Sequence, residues 1–288
     1  MPKAININGG LGRVVCALPA LKLLQEKEPD TLVIMNGWDD LFLMTDLNTI
    51  EAGSVAIGKM LEGYDVITPE PYHQAGYRNG EYDMRYAFAK DLGVEFGKTI
   101  DYGIRMDSNN VRKYMHHFRN EVADAKGKPL AMIQVKASGN ENIRDLNKET
   151  TLNAIEAVKK AGYFPVLVGD TSTIPFDLQC YHINNTSLVD YITLLAMCDL
   201  FIGGDSSGMH LARAFGKKGI IFFTSTAGIK FYPDWFIEFR HPDHPVTYEY
   251  PRLFRAEQKQ AKLNEHKGVN KYYISEENFS KAIADIKG

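Results

Sequence analysis

The chain has 288 residues, 44% of them hydrophobic and 24% charged, enough apolar material for two moderate cores and too much for a disordered chain. A net charge of −3, from 33 Lys and Arg against 36 Asp and Glu, excludes a general attraction to nucleic acid. Cys16, Cys180 and Cys198 are odd in number, widely spaced and set in apolar sequence, so the expectation is buried free thiols, with no disulfide, no zinc site and no metal. The start, Met1-Pro2-Lys3-Ala4, lacks the apolar core of a secretory signal, and no run reaches the roughly eighteen apolar residues of a membrane span. The location expected is therefore cytoplasmic.

Charge is uneven along the chain. Segment 111–128 carries Arg112, Lys113, Arg119, Lys126 and Lys128 against Glu121 and Asp124, and segment 210–272 holds eleven Lys or Arg against six Asp or Glu. These segments are either one basic face or ordinary scatter over a solvated surface.

Lys3 to Asn8 alternates as a strand does, and Gly9-Gly10-Leu11-Gly12 follows as a glycine-rich turn. Val14, Val15, Leu18, Leu21 and Leu24 then recur at helical spacing, giving the first half of a βαβ unit, in which Pro19 removes one backbone hydrogen bond. Thr31 to Met35 reads as the second strand. The glycines do not match Gly-x-Gly-x-x-Gly, and the strand ends in Asn36 rather than a ribose-binding acid, so a dinucleotide-dependent dehydrogenase is disfavoured; no Walker A pattern is present. A short helix over 40–47, a strand over 65–68 and a helix over 81–92 follow, with an aromatic, polar loop over 69–77 of the kind that holds substrate. A helix over 111–125 ends at the breaker Lys126-Gly127-Lys128-Pro129, which sets the expected domains at 1–128 and 129–288.

The second half begins again with a strand over 130–135, a polar loop over 136–142, a helix over 147–161 and a strand over 164–168. A loop with Asp170, Thr171, Ser172 and Thr173 leads to a strand over 180–183 and a helix over 187–197. Ser275-Glu276-Glu277 caps a last helix, 275–287, able to pack back on the first domain. Strands alternating with helices predict parallel sheets covered on both faces, with ligands beyond the carboxyl ends of the strands.

The richest stretch is Asp199-Leu200-Phe201-Ile202-Gly203-Gly204-Asp205-Ser206-Ser207-Gly208-Met209-His210. Its apolar run is a buried strand, and Met209, Leu211, Ala212 and Phe215 continue as a helix closed by Gly216. The turn between them offers hydroxyls and backbone N–H groups at a helix N-terminus, which suits phosphate and equally suits any strand-to-helix turn.

Three stretches together resemble the heptosyltransferase-type glycosyltransferases of family 9. Gly10-Leu11-Gly12-Arg13-Val14 with Ala17-Leu18-Pro19-Ala20-Leu21 is similar to that family's Gly-Asp-Val followed by Leu-Pro-Ala-Leu. The loop after strand 130–135 supplies Ser138 and Arg144. Thr186-Ser187-Leu188 through Leu195-Ala196 leads into Gly204-Asp205-Ser206-Ser207-Gly208-Met209-His210-Leu211-Ala212. The resemblance implies an α/β chain of two Rossmann-like βαβ domains facing a central cleft, the GT-B fold, with an acceptor side in the first and a nucleotide-sugar donor site in the second.

It implies a UDP- or ADP-linked sugar as substrate, no further cofactor, and metal-independent, inverting transfer to an acceptor hydroxyl. Asp205, Ser206, Ser207 and Gly208 would meet the diphosphate or sugar, with Ser138 as hydroxyl donor and Arg144 as cation. His210 is either a second phosphate donor or a structural histidine; Asn185 and Thr186 would lie near the base, and Gly10, Gly12 and Arg13 complete the expected donor-binding set. Two departures stand out. Ser207 displaces the glycine of the usual Asp-Ser/Thr-Gly loop by one residue, and Arg13 stands where the family places its presumed catalytic aspartate. Arginine cannot accept the acceptor's proton. Asp39, Asp40, His73, Asp101 and Asp107 are the available replacement bases. The acceptor expected is an envelope saccharide or a polymer such as hydroxymethylated DNA. A nucleotide-sugar-binding protein without catalysis and a GT-B-type sugar-nucleotide epimerase are the alternatives.

Overall fold

The computed structural model describes residues 1–53, 56–78, 80–136, 145–169, 171–172, 174–175, 178–184, 186–223, 236–240 and 273–287. They form two compact units, Met1–Asp107 and Ser108–Gly288. No described helix is long and apolar enough to cross a membrane.

The first unit runs β1 (Lys3–Ile7), α1 (Leu11–Lys27), β2 (Leu32–Met35), α2 (Asp39–Leu43), β3 (Thr49–Glu51), α3 (Ile57–Met60) and β4 (Asp65–Ile67). A 3-10 turn, Pro71–His73, precedes α4 (Ala75–Arg78) and α5 (Met84–Asp91). Its sheet is parallel with strand order β3-β2-β1-β4. α1 continues through Pro19 because nearly every residue from Val14 to Leu21 is buried, and packing of that breadth outweighs one missing hydrogen bond. It packs against α5, whose N-cap Asp83 accepts from the Arg85 N–H. The short β3 and α3 carry too few apolar residues for sequence periodicity to show them.

The second unit runs α6 (Ser108–His116), β5 (Leu130–Gln134), α7 (Lys148–Lys160), β6 (Phe164–Val168), β7 (Tyr181–Ile183), α8 (Leu188–Met197), β8 (Leu200–Gly204), α9 (Ser207–Ala214), β9 (Lys218–Phe223), β10 (Phe236–Arg240) and α10 (Glu276–Lys287). The sheet is parallel with order β10-β9-β8-β5-β6-β7. All residues of β5, β6 and β8 are buried, as strands covered on both faces must be.

Two boundaries differ from the sequence reading. The units divide after Asp107, so segment 108–128, assigned above to the first domain, belongs to the second. The helix expected over 111–125 ends at His116 and gives way to a π-type turn, His117–Glu121, and a 3-10 turn, Ala123–Ala125. What holds this segment is aromatic: buried Phe118 meets Phe164 and Tyr181 edge-on at centroid distances of 6.5 and 5.2 Å, and α6 packs on α8. The last helix packs on α7 and β9 within the second unit. Phe279, Ala282 and Ile283 of α10 share one core with Ala154, Ile155 and Val158 of α7, and Phe279 lies edge-on to Phe222 at 5.8 Å. Asn153 Nδ2 donates to the Ile274 carbonyl at 2.8 Å and Lys287 Nζ to that of Ala161 at 2.6 Å, pinning both ends.

Of the two basic segments, 111–128 lies on α6 and the turns after it, while most of 210–272 lies outside the described residues. Cys16 and Cys198 are buried free thiols, but Cys180 is only half-buried, with its Sγ 3.1 Å from His182 Nε2.

Candidate functional site

In the second sheet the chain leaves the central β5 toward β6 and β7, then returns to build β8, β9 and β10 on its other side. Loops leaving neighbouring strands in opposite directions open a crevice at their carboxyl ends, here between β5 and β8. The turn Asp205–Ser206 sits in that position.

β8 extends through Gly203 and Gly204, and Ser206 then caps α9 in extended conformation. Its Oγ accepts from the Gly208 N–H at 3.3 Å and donates to Gln134 Oε1 at 3.0 Å. The Tyr191 hydroxyl donates to the same Gln134 oxygen at 3.1 Å, and Gln134 Nε2 donates to the Lys136 carbonyl at 3.0 Å. One side chain at the end of β5 thus ties α8, the loop after β5 and the α9 cap together. Gln134 is 8% exposed, so these bonds are what make a buried amide tolerable. Burial pushes the Tyr191 phenol above its ordinary range and keeps it a neutral donor. Gly208 is fixed by this network: a Cβ there would overlap Gln134 Oε1 and Tyr191 Oη and come within 2.7 Å of Phe201 Cζ.

The residues predicted for the donor divide three ways. Asp205 is 7% exposed, its N–H donating to the Phe222 carbonyl at 3.1 Å, and His210 is buried in α9. Ser206 is buried with its hydroxyl proton committed to Gln134, which makes it a framework residue of the turn, while Ser207, the first residue of α9, is half-buried. Thr186 is half-buried and donates to the Ser187 carbonyl at 2.9 Å, ahead of the Ser187 cap on α8, which accepts from the Asp190 N–H at 3.1 Å. Ser138, Arg144 and Asn185 lie outside the described residues.

On the edge strand β7, His182 Nδ1 lies 2.9 Å from Thr171 Oγ1, which donates to Asn184 Oδ1 at 3.0 Å. Desolvation lowers the His182 pKa and raises that of Cys180 to about 11, so both favour their neutral forms and do not make a thiolate–imidazolium pair.

In the first unit Gly10 is the N-cap of α1 and Gly12 its second residue. Arg13 does not extend as an open phosphate-binding cation. Its Nη2 donates to the Pro69 carbonyl at 2.6 Å, its Nη1 lies 3.5 Å from Glu70 Oε2, and its guanidinium carbon lies 5.3 Å from the Tyr72 ring and 5.8 Å from that of Phe88. The side chain is 9% exposed.

The candidate bases are scattered. Asp39 and Asp40 open α2 after β2; Asp39 Oδ1 is buried with no hydrogen-bond partner, and Asp40 is exposed. Beside them Trp38, in the left-handed region at φ 62°, is 37% exposed and donates through Nε1 to the Gly9 carbonyl at 2.9 Å. His73 is exposed at the end of the turn after β4. Asp101 is committed to Lys22 and the Gly103 N–H, and those contacts hold its carboxyl below its ordinary pKa. Asp107 is the exposed last residue of the unit.

The sequence reading passed over Gln134, Tyr191 and Glu70. Gln134 had a signal: an amide inside an otherwise apolar strand must find buried partners. Glu70 had the signal of its loop, 69–77, read as substrate-holding, but only the fold brings it to Arg13.

Residues 178–241 match the model of glycosyltransferase family 9 (heptosyltransferase). Comparison with curated proteins by sequence gives no match. Among solved structures, a family 9 glycosyltransferase from Veillonella parvula aligns at 15% identity and TM-score 0.66, covering 99% of this chain and 97% of its own. The E. coli ADP-heptose LPS heptosyltransferase II aligns at 14% identity and TM-score 0.58, covering 92% of this chain and 100% of its own. TibC, a dodecameric iron-containing heptosyltransferase from enterotoxigenic E. coli solved with ADP-D-β-D-heptose, aligns at 12% and 0.59, covering 99% of this chain and 76% of its own. The chain therefore has the fold of the GT-B glycosyltransferases and, over residues 178–241, is similar in sequence to glycosyltransferase family 9.

Proposed function

We propose that the protein transfers a sugar from a nucleoside-diphosphate sugar, UDP- or ADP-linked, to an acceptor hydroxyl with inversion. The observation that carries the reading is the β5/β8 crevice, where buried Asp205 and the start of α9 stand together within the segment that matches the family model. A departing nucleoside diphosphate gains negative charge as the anomeric bond breaks. The Ser207 N–H that opens α9 and the positive end of the helix dipole stabilise that charge. Asp205 accepts hydrogen bonds from hydroxyls of the donor. Gln134, Ser206 and Gly208 hold the turn in shape without touching the substrate. Ser138 and Arg144 act as the resemblance implies, on the phosphates.

The acceptor side is the carboxyl edge of the first sheet, and the acceptor is a saccharide. Trp38 and Tyr72, 37% and 45% exposed, are each fastened to the segment from Gly9 to Arg13, Trp38 through its indole N–H and Tyr72 through the Arg13 guanidinium. Exposed rings of this kind offer flat apolar faces to the C–H surfaces of sugars. The test is titration calorimetry with UDP, ADP and their sugars: at least one binds, and Asp205→Ala weakens it at least tenfold. Absence of binding, or an unchanged affinity in Asp205→Ala, would remove the proposal.

A further inference from the structure

In the first sheet the chain leaves β1 toward β2 and β3, then returns to place β4 on the other side of β1. Segments 8–13, 36–40 and 68–73 therefore follow the carboxyl ends of three adjacent strands, where a parallel sheet takes its ligands. Three hydrogen bonds tie these ends together. Asn6 Nδ2 donates to Thr68 Oγ1 at 3.5 Å, Trp38 Nε1 to the Gly9 carbonyl at 2.9 Å, and Arg13 Nη2 to the Pro69 carbonyl at 2.6 Å.

Asn6 Oδ1, Asp39 Oδ1 and Arg13 Nε are buried and have no hydrogen-bond partner among the described residues. Two are acceptors and one is a donor. A shielded polar atom without a partner costs free energy, and three at one end of one sheet mark a place where a ligand's polar groups are gained at full value. The backbone leaves room above them. Gly9, exposed and at φ 100°, stands over the Arg13 side chain, where a Cβ would meet Arg13 Cδ at 3.1 Å and Nε at 3.9 Å. Exposed Gly10 has no atom within 4 Å of a virtual Cβ. Trp38 sits at φ 62° and ψ 33°, a left-handed conformation that a bulky residue seldom adopts, and this strained turn presents an indole 37% exposed next to Asp39.

Charge selects the ligand. Arg13 is the one Lys or Arg in the three segments, against Asp39, Asp40 and Glu70, so 1 − 3 = −2. Its guanidinium is already met by Glu70 Oε2 at 3.5 Å and by the Pro69 carbonyl, and the side chain is 9% exposed. A phosphate or carboxylate brought here would face net negative charge with no uncommitted cation in these segments. Hydroxyls, which both donate and accept, match the two acceptors and the donor.

We propose that this end of the first sheet binds a saccharide unit free of phosphate and carboxylate, its hydroxyls bonded to Asn6, Asp39 and Arg13 and its C–H face against Trp38. The inference rests on the saccharide reading of the first unit given above and narrows it to uncharged sugars.

The full chain is titrated by saturation-transfer NMR with the methyl α-glycosides of glucose, galactose and mannose, and then with the 6-phosphate and the uronic acid of whichever sugar binds best. At least one glycoside is expected to bind saturably, and its charged derivatives to bind about tenfold more weakly. Asp39→Ala and Trp38→Ala should each weaken the glycoside about fivefold, with Asp40→Ala within about twofold of wild type. Far-UV circular dichroism checks that the variants fold, and Asn6→Ser, with the same expected loss, replaces either that does not. Charged derivatives that bind as tightly as the glycoside, or an unchanged affinity in the variants, overturn this inference and leave the saccharide reading standing. Failure of every glycoside to bind overturns both. The nucleotide titration of the second unit is read separately from either result.

Discussion

Gly208→Ala puts the account of the β8–α9 turn under direct strain. The added methyl would occupy the space of Gln134 Oε1 and the Tyr191 hydroxyl and press on Phe201, none of which is the loose end of a surface side chain. Overpacking of a filled interior costs about 1–3 kcal/mol. If Gln134 yields instead, the hydroxyls of Ser206 and Tyr191 lose a buried acceptor, at about 1–3 kcal/mol for each group left unpaired. A loss of about 3 kcal/mol follows, which with a urea slope of about 3 kcal/mol/M moves the unfolding midpoint by about 1 M. Gly10→Ala is the control. Gly10 likewise lies at the start of a helix, as the N-cap of α1, but at φ −74° and with no atom within 4 Å of its virtual Cβ it should lose under about 1 kcal/mol. The assay is urea unfolding of both variants followed by far-UV circular dichroism. A midpoint in Gly208→Ala no lower than that of Gly10→Ala would refute the packing described for the turn.

Arg13→Met should destabilise the first unit by about 1.5–3 kcal/mol, the worth of hydrogen bonding to a charged group, while leaving nucleotide affinity within twofold, as thermal unfolding and calorimetry would show. His182 has a folded pKa below its ordinary 6.5, so the unfolded chain binds the extra proton and stability falls as pH drops through and below 6.5; His182→Gln should flatten that fall in urea titrations at pH 7 and 5.5. Cys16 and Cys198 are buried, and burial raises the Cys180 and Cys198 pKa values to about 11 and about 12. Native protein at pH 8 should therefore react with iodoacetamide at least tenfold more slowly than urea-unfolded protein, measured by mass spectrometry. Ser187→Ala removes the cap of α8 and should cost about 0.5–2 kcal/mol in the same unfolding assay.

Much of the second unit was legible because its strands are buried on both faces and must read as continuous apolar runs, as Leu130–Gln134, Phe164–Val168 and Leu200–Gly204 do. The start of α9 was legible for a local reason: a serine in capping position before a run with apolar residues at helical spacing. The domain boundary was not, because Lys126-Gly127-Lys128-Pro129 is a local stop, whereas membership of a unit is decided by long-range contacts. Phe118 belongs with Phe164 and Tyr181, and no nearby residue announces that. Arg13 shows the same limit at the site. The family resemblance put Arg13 where a presumed catalytic aspartate is expected, but only the parallel pairing of β1 with β4 brings Pro69 and Glu70 to its guanidinium. Residue types and their spacing reveal elements and caps; partners drawn from different strands emerge only from the topology.

The central claim is that the β5/β8 crevice of the second unit binds a nucleoside-diphosphate sugar. Titration calorimetry of wild type and Asp205→Ala with ADP-heptose and UDP-glucose tests it most directly. The account predicts saturable binding of at least one donor by wild type and a loss of at least tenfold in Asp205→Ala. No binding of either donor, or equal affinity in the two proteins, would contradict it.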